Sequence, residues 1–152
     1  MRRTNQQLSN EECEEILRTA PRGVLSVKGE EGYPYGIPMD FVWRDGKAYF
    51  HSALEGHKVD AIAADDKACL TVLDEGRLEE GSWWYHFRSV IVFGRVRVLE
   101  DEGARTDALI ALGRKYFPTE EEVQDDVARS APRALVLELT PDHMTGKAVR
   151  EK

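Results

Sequence analysis

The chain has 152 residues, 41% of them apolar, and a formal net charge of −7. That length fits one domain spanning 1–152 with a real hydrophobic core, and no segment is apolar for long enough to cross a bilayer. The acidic balance argues against nucleic-acid binding by broad phosphate neutralisation. The basic start, Arg2-Arg3, is followed by no apolar stretch, so a secretory signal is not expected and the default compartment is the cytoplasm.

In chain order, Ser9 and Glu12 form a capping box, with Leu8 and Cys13 as its hydrophobic staple. Cys13, Ile16, Leu17 and Ala20 then recur at helical spacing, and Pro21-Arg22-Gly23 ends the helix. Residues 24–28 read as a strand and 29–32 as a turn. Residues 33–43 read as a long second strand, irregular or at a sheet edge before Met39, because its two prolines and its glycine forbid a regular central ladder. Arg44-Asp45-Gly46-Lys47 is a tight hairpin into a third strand, 47–51. A short helix follows at 58–64 with Val59, Ile62 and Ala63 as its apolar face, then a fourth strand at 68–73 and a polar loop at 75–81.

Residues 82–99 form a long β segment, bent or bulged at Gly94. The pattern turns helical from 102 to 117, with Leu109, Leu112 and Tyr116 on one stripe. Thr119 and Glu122 form a second capping box, opening a helix to about Ala128. Residues 134–140 are the last strand, and 143–150 a polar, basic tail. Short turns between early strands argue against a doubly wound parallel fold. The expectation is a mainly β antiparallel sheet, closed or nearly closed into a barrel with helices outside. The two cysteines, Cys13 and Cys69, read as free thiols without a disulfide framework.

The junction at 49–60 concentrates the chemistry. A strand end, a small-residue turn and a helix start bring together His51, Ser52, Gly56, His57 and Lys58. A helix start presents unpaired N–H groups and a partial positive charge, so an anionic group such as a phosphate is favoured there. Lys58 adds a full charge; Ser52, His51 and His57 add donors.

The ordered set of motifs resembles the FMN-binding split-barrel flavoproteins of the pyridoxamine 5′-phosphate oxidase superfamily, and within it the nitroimidazole-resistance-like branch. The residues that carry the resemblance are Arg2-Arg3 with Leu8-Ser9, then 23–27, 33–41, 49–53, Gly56-His57-Lys58, 89–96 and Thr145-Gly146-Lys147. It implies a six-stranded antiparallel split β-barrel with flanking helices, and a homodimer with FMN at its interface. It places Met39, Asp40 and Phe41 beside the isoalloxazine ring, and His51, Ser52 and Ala53 by the ribityl phosphate. Gly56, His57 and Lys58 match the phosphate turn, and Ser89 a contact from the second subunit. The function implied is an oxidoreductase passing electrons from a reduced nicotinamide or other donor to a small acceptor such as a nitroaromatic. His51 is the candidate catalytic residue.

The alternative is a barrel that binds flavin, deazaflavin or haem without turnover. His51, His57, His86 and Cys69 lack metal-ligand spacing, so no metal is expected. A Ser52–His57–Asp60 hydrolase lacks a nucleophile-elbow motif. The aromatics Trp43, Trp83, Trp84 and Phe87 read as core or interface residues.

Overall fold

The computed structural model describes residues 4–81 and 83–149; Arg2, Arg3, Ser82 and Arg150 lie outside them. The strands are β1 (Arg22–Lys28), β2 (Pro34–Asp40), β3 (Val42–Arg44), β4 (Lys47–Ala53), β5 (Lys67–Leu73), β6 (Arg77–Leu78), β7 (Tyr85–Val98) and β8 (Ala134–Val149). The helices are α1 (Asn10–Thr19), α2 (His57–Ala64), α3 (Glu102–Tyr116) and α4 (Glu120–Ser130). One antiparallel path runs β2-β1-β5-β7-β8-β4-β3, and β6 adds a short pairing beside β7.

This path has seven strands, where the resemblance implied six. The difference lies at Phe41, which alone separates β2 from β3. β2 pairs with β1 at one end of the path, and β3 pairs with β4 at the other. Chain continuity through Phe41 therefore joins the ends of a curled half-barrel that no ladder closes. Of the irregular or edge strand expected before Met39, the structure has the edge: β2 ends the path and pairs regularly with β1 along its whole length, from Pro34 to Asp40. As an end strand it tolerates prolines, which have no N–H to give a ladder.

Capping explains the helix ends. Ser9 and Glu12 form the reciprocal box at α1, and Asp101 caps α3. Thr119 caps α4 through the Glu122 amide, but its hydroxyl also donates to the Glu122 carboxylate, so that half of the expected box is replaced. Asp45 and Gly46, at φ 51° and 72°, make the hairpin turn before β4. Leu8 and Cys13 are both buried and close on Gly146, where a Cβ would meet Leu8 Cβ at 2.9 Å.

Residues 143–149 of the expected tail are instead the second half of β8, paired with β7 up to Phe87↔Val149. Its inward residues there include Gly146 and Ala148, too small to register as an apolar alternation. The β7–β8 register shifts between Phe93 and Gly94. Gly94 presses on the Thr140 carbonyl, and a Cβ would lie 3.0 Å from Pro141 Cα. A bulge at that glycine lets the long pair bend.

The main core fills the curl with Leu25, Phe41, Phe50, Leu70, Val90 and Leu137, sealed by Ile16 and Leu17 of α1 and by Ala61 and Ile62 of α2. The buried residues of α2 are thus Ala61 and Ile62, while Ala63 is exposed. A second cluster joins Leu109 of α3 and Val123 and Val127 of α4 to Val136 of β8. No helix among the described residues is long and apolar enough to cross a membrane. Cys13 and Cys69 are free thiols.

Candidate functional site

Alternation along β4 decides which side chains reach the junction. Ala48, Phe50 and Ser52 point into the core, and Tyr49, His51 and Ala53 take the other face. Ser52 is only 3% exposed, and its hydroxyl has no hydrogen-bond partner among the described residues. A buried hydroxyl without a partner is uncommon, because its lost hydration goes uncompensated. His51 is exposed, opposite Val136 of β8.

The exposed turn Leu54-Glu55-Gly56 then enters α2. Gly56 stands at φ 135° and ψ 168°, a backbone region that L side chains rarely adopt. Its carbonyl accepts from the amides of Val59 and Asp60 at 2.8 and 3.1 Å. Unlike α1, α3 and α4, α2 has no side-chain cap. Its first amides, those of His57 and Lys58, are left without an intrahelical acceptor. Lys58 is half-buried and makes no ion pair with the described residues. His57 packs its ring 5.2 Å from that of Tyr35, and its Nε2 lies 3.9 Å from Glu30.

The Tyr35 contact sets the start of α2 against the first half of β2. Met39, Asp40 and Phe41 lie at the other end of that strand, roughly 17 Å from Tyr35 at about 3.3 Å per residue. Because β2 is paired only with β1, its second edge carries backbone groups that no strand takes. His57, expected at a phosphate, and Met39 and Asp40, expected beside a ring, thus lie toward opposite ends of β2. Met39 is buried, and Asp40 accepts from Arg22 Nε at 2.5 Å. Phe41 is fully buried, so its ring is a core residue and not an exposed stacking surface.

Ser89 is not brought to this junction within one chain. It lies opposite Lys147 near the far end of β8, whereas Ser52 lies opposite Leu135 near its start. With Cys69, Thr71, Ile91 and Phe93 it belongs to an outward sheet face that neither core cluster includes.

Several features were not legible in the sequence. Lys115 and Tyr116 grip the backbone of Phe41 from α3, about 75 residues away. Tyr116 shows as part of an apolar stripe, but nothing local marks its hydroxyl or Lys115 as a partner of Phe41. A groove of about 1180 Å³ also opens between α1 and the segment 73–88, with Arg22, Leu73, Trp84, Phe87 and Arg88 among its walls. Its arginines Arg22, Arg77 and Arg88 are paired with Asp40, Glu79 and Asp74.

A curled antiparallel half-barrel, joined through a single residue and sealed by α1 and α2, is a split barrel. The chain belongs to the pyridoxamine 5′-phosphate oxidase family, whose model matches residues 9–148. Among solved structures it is similar to a candidate 5-nitroimidazole antibiotic resistance protein from Bacteroides thetaiotaomicron, at 25% identity and a TM-score of 0.76, covering 93% of this chain and 86% of that one. It is similar in fold to a FAD-binding protein from Mesorhizobium loti, at 22% identity and a TM-score of 0.71, covering 95% and 98% of the two chains. The FAD and heme binding protein from Mycobacterium smegmatis shares the fold at 20% identity and a TM-score of 0.76, covering 96% and 74%. No curated protein matches the chain.

Proposed function

We propose that this protein is an FMN-binding oxidoreductase working as a homodimer. The carrying observation is the start of α2. In a chain of this family, a helix without a side-chain cap opens behind a glycine at φ 135°, with a lysine at its second residue that pairs with no carboxylate among the described residues. Such a start favours a phosphate through free amides, a partial dipole charge and a full charge. The unpartnered Ser52 hydroxyl on the adjoining strand is a donor with no acceptor, and the open β2 edge offers backbone groups to a polar ring. The residues present therefore fit a flavin.

In this reading Ser52, His57 and Lys58 hold the phosphate, with Ala53 and Gly56 shaping the turn. Met39 and Asp40 flank the ring along β2, and buried Phe41 keeps the end of that strand in place. His51 stands between the two ends, where it contacts the ribityl chain or supplies a proton. Ser89 comes from the partner subunit, consistent with its distance from the junction within one chain. The outward face around Thr71, Ser89 and Ile91 is then the dimer surface. A bound flavin would supply the redox chemistry, taking electrons from a reduced nicotinamide or similar donor for a small acceptor, with nitroaromatic compounds the first class to test.

Purified protein tests the reading directly. The expected result is a yellow preparation that releases FMN, not FAD, on denaturation and is bleached by a reduced nicotinamide. A colourless chain that takes up no flavin refutes it. Bound flavin that no donor reduces would instead favour a binding module of the same fold.

A further inference from the structure

The break between β2 and β3 costs Phe41 its strand partners, and the last turn of α3 replaces them. Phe41 N–H donates to the Tyr116 hydroxyl at 3.0 Å. Lys115 Nζ donates to the Phe41 carbonyl at 2.8 Å and to the Ala20 carbonyl at 2.7 Å. The same ammonium stands 4.3 Å from the centre of the Phe41 ring. The Tyr116 hydroxyl also reaches the Pro21 carbonyl at 2.5 Å, tying the end of α1 into the same knot. Among the described residues Lys115 has no carboxylate salt-bridge partner. Its charge is held by carbonyl dipoles and an aromatic face. Half-burying a lysine without a counter-ion is costly; the charge strengthens both bonds to the carbonyls and also acts at a distance on groups along β2.

We infer that Lys115 and Tyr116 are positioning residues for the flavin ring. They fix Phe41 and with it the ring end of β2, and Lys115 places a positive charge behind that strand which favours the reduced, more anionic flavin. This rests on the proposed placement of the ring along Met39 and Asp40. Two ionisable groups act on the ammonium, Asp40 on β2 and Tyr116 on α3 itself, whose ring centre is 5.5 Å away; Arg22 on β1 is paired with that Asp40. Burial lowers the Lys115 pKa to about 8, with the Asp40 charge opposing that shift. The positive charge is therefore present at neutral pH and lost as the pH rises through that value.

The test compares wild type, Lys115→Met, Lys115→Arg and Tyr116→Phe by FMN affinity and by the midpoint potential of bound FMN. Lys115→Met is expected to bind oxidised FMN several-fold more weakly. It should also favour the reduced form about tenfold less, a potential lower by about 30 mV for a two-electron couple. Lys115→Arg should restore the potential in part. Tyr116→Phe, which keeps the charge, should weaken binding and leave the potential in place. Between pH 7 and 9 the difference in potential between wild type and Lys115→Met should shrink as wild type loses its charge.

Unchanged potential in Lys115→Met overturns the inference even if affinity or melting temperature falls, because a structural clamp alone would do that. If Lys115→Met does not fold, unchanged FMN affinity in Tyr116→Phe overturns it. A wild-type chain that binds no flavin overturns both this inference and the proposed function. Wild type that binds FMN and loses it in Lys58→Ala, with the Lys115 and Tyr116 variants unaltered, overturns this inference alone.

Discussion

Replacing Lys58 with alanine separates ligand binding from stability, because the structure predicts opposite signs for the two. Lys58 is the second residue of α2 and makes no ion pair among the described residues. Removing it from the unliganded protein therefore breaks no salt bridge. A cation in the first helical turn opposes the helix dipole by about 0.3–1 kcal/mol, and alanine is at least as good a helix former as lysine. Its half-buried stem gives back part of that gain through lost packing. The unliganded variant should thus be unchanged in stability or more stable by up to about 1 kcal/mol. In the proposed complex Lys58 would make a charge-assisted hydrogen bond to the flavin phosphate worth roughly 1.5–3 kcal/mol. Its loss should weaken FMN binding about ten- to a hundredfold. Flavin fluorescence titration reads the affinity, and thermal melting of the flavin-free protein reads the stability. Unchanged affinity would move the phosphate away from α2, and weaker binding together with a destabilised flavin-free protein would make Lys58 a structural residue.

Three further outcomes follow from the same geometry. Glu138 is buried on β8 and accepts from Arg97 Nε at 2.8 Å, with Lys47 Nζ 3.2 Å away. Burial pushes its pKa up, but the bonds to Arg97 and Lys47 outweigh that and hold it below the usual glutamate value. A depressed folded-state pKa gives stability that is present above the unfolded value of about 4.3 and is lost as pH falls through the folded one. Glu138→Gln should therefore melt lower than wild type at pH 7, by roughly 1–3 kcal/mol, and the gap should close as the pH drops toward 3. A gap that persists at low pH would trace to packing instead. Gly94→Ala should destabilise by about 1–3 kcal/mol, seen as a lower denaturant midpoint, because a Cβ there meets rigid backbone at Thr140 and Pro141. A variant as stable as wild type would mean that the bulge can open freely. Ile91→Asp, on the half-exposed sheet face, should give a monomer by sedimentation and lose FMN; a wild-type monomer that binds FMN tightly would refute the proposed dimer.

Much of the fold is written in local chemistry. Ser9 with Glu12, Asp45-Gly46 and Thr119 each act within a few residues, so α1, the β3–β4 hairpin and α4 begin where short-range rules put them. The start of α2 is legible for the same reason: Gly56-His57-Lys58 is one continuous segment whose anion-favouring character needs no distant partner. The second half of β8 is different. Its inward Gly146 and Ala148 carry no apolar signal, and only β7 beside it makes the segment a strand. The break at Phe41 likewise depends on Lys115 and Tyr116, brought from the end of α3 by packing that no local pattern encodes. The Met39–Asp40 end of β2, proposed to carry the ring, is positioned by the same packing. The chain by itself determined its helix starts, its turns and an anion-seeking junction, because those depend on dihedral preference and nearby donors. Tertiary structure alone decided that the second strand splits at Phe41 into a curled half-barrel, that Ser89 lies far from that junction, and that a half-buried lysine stands behind the proposed flavin edge. Those outcomes depend on which distant groups must satisfy one another once water is excluded.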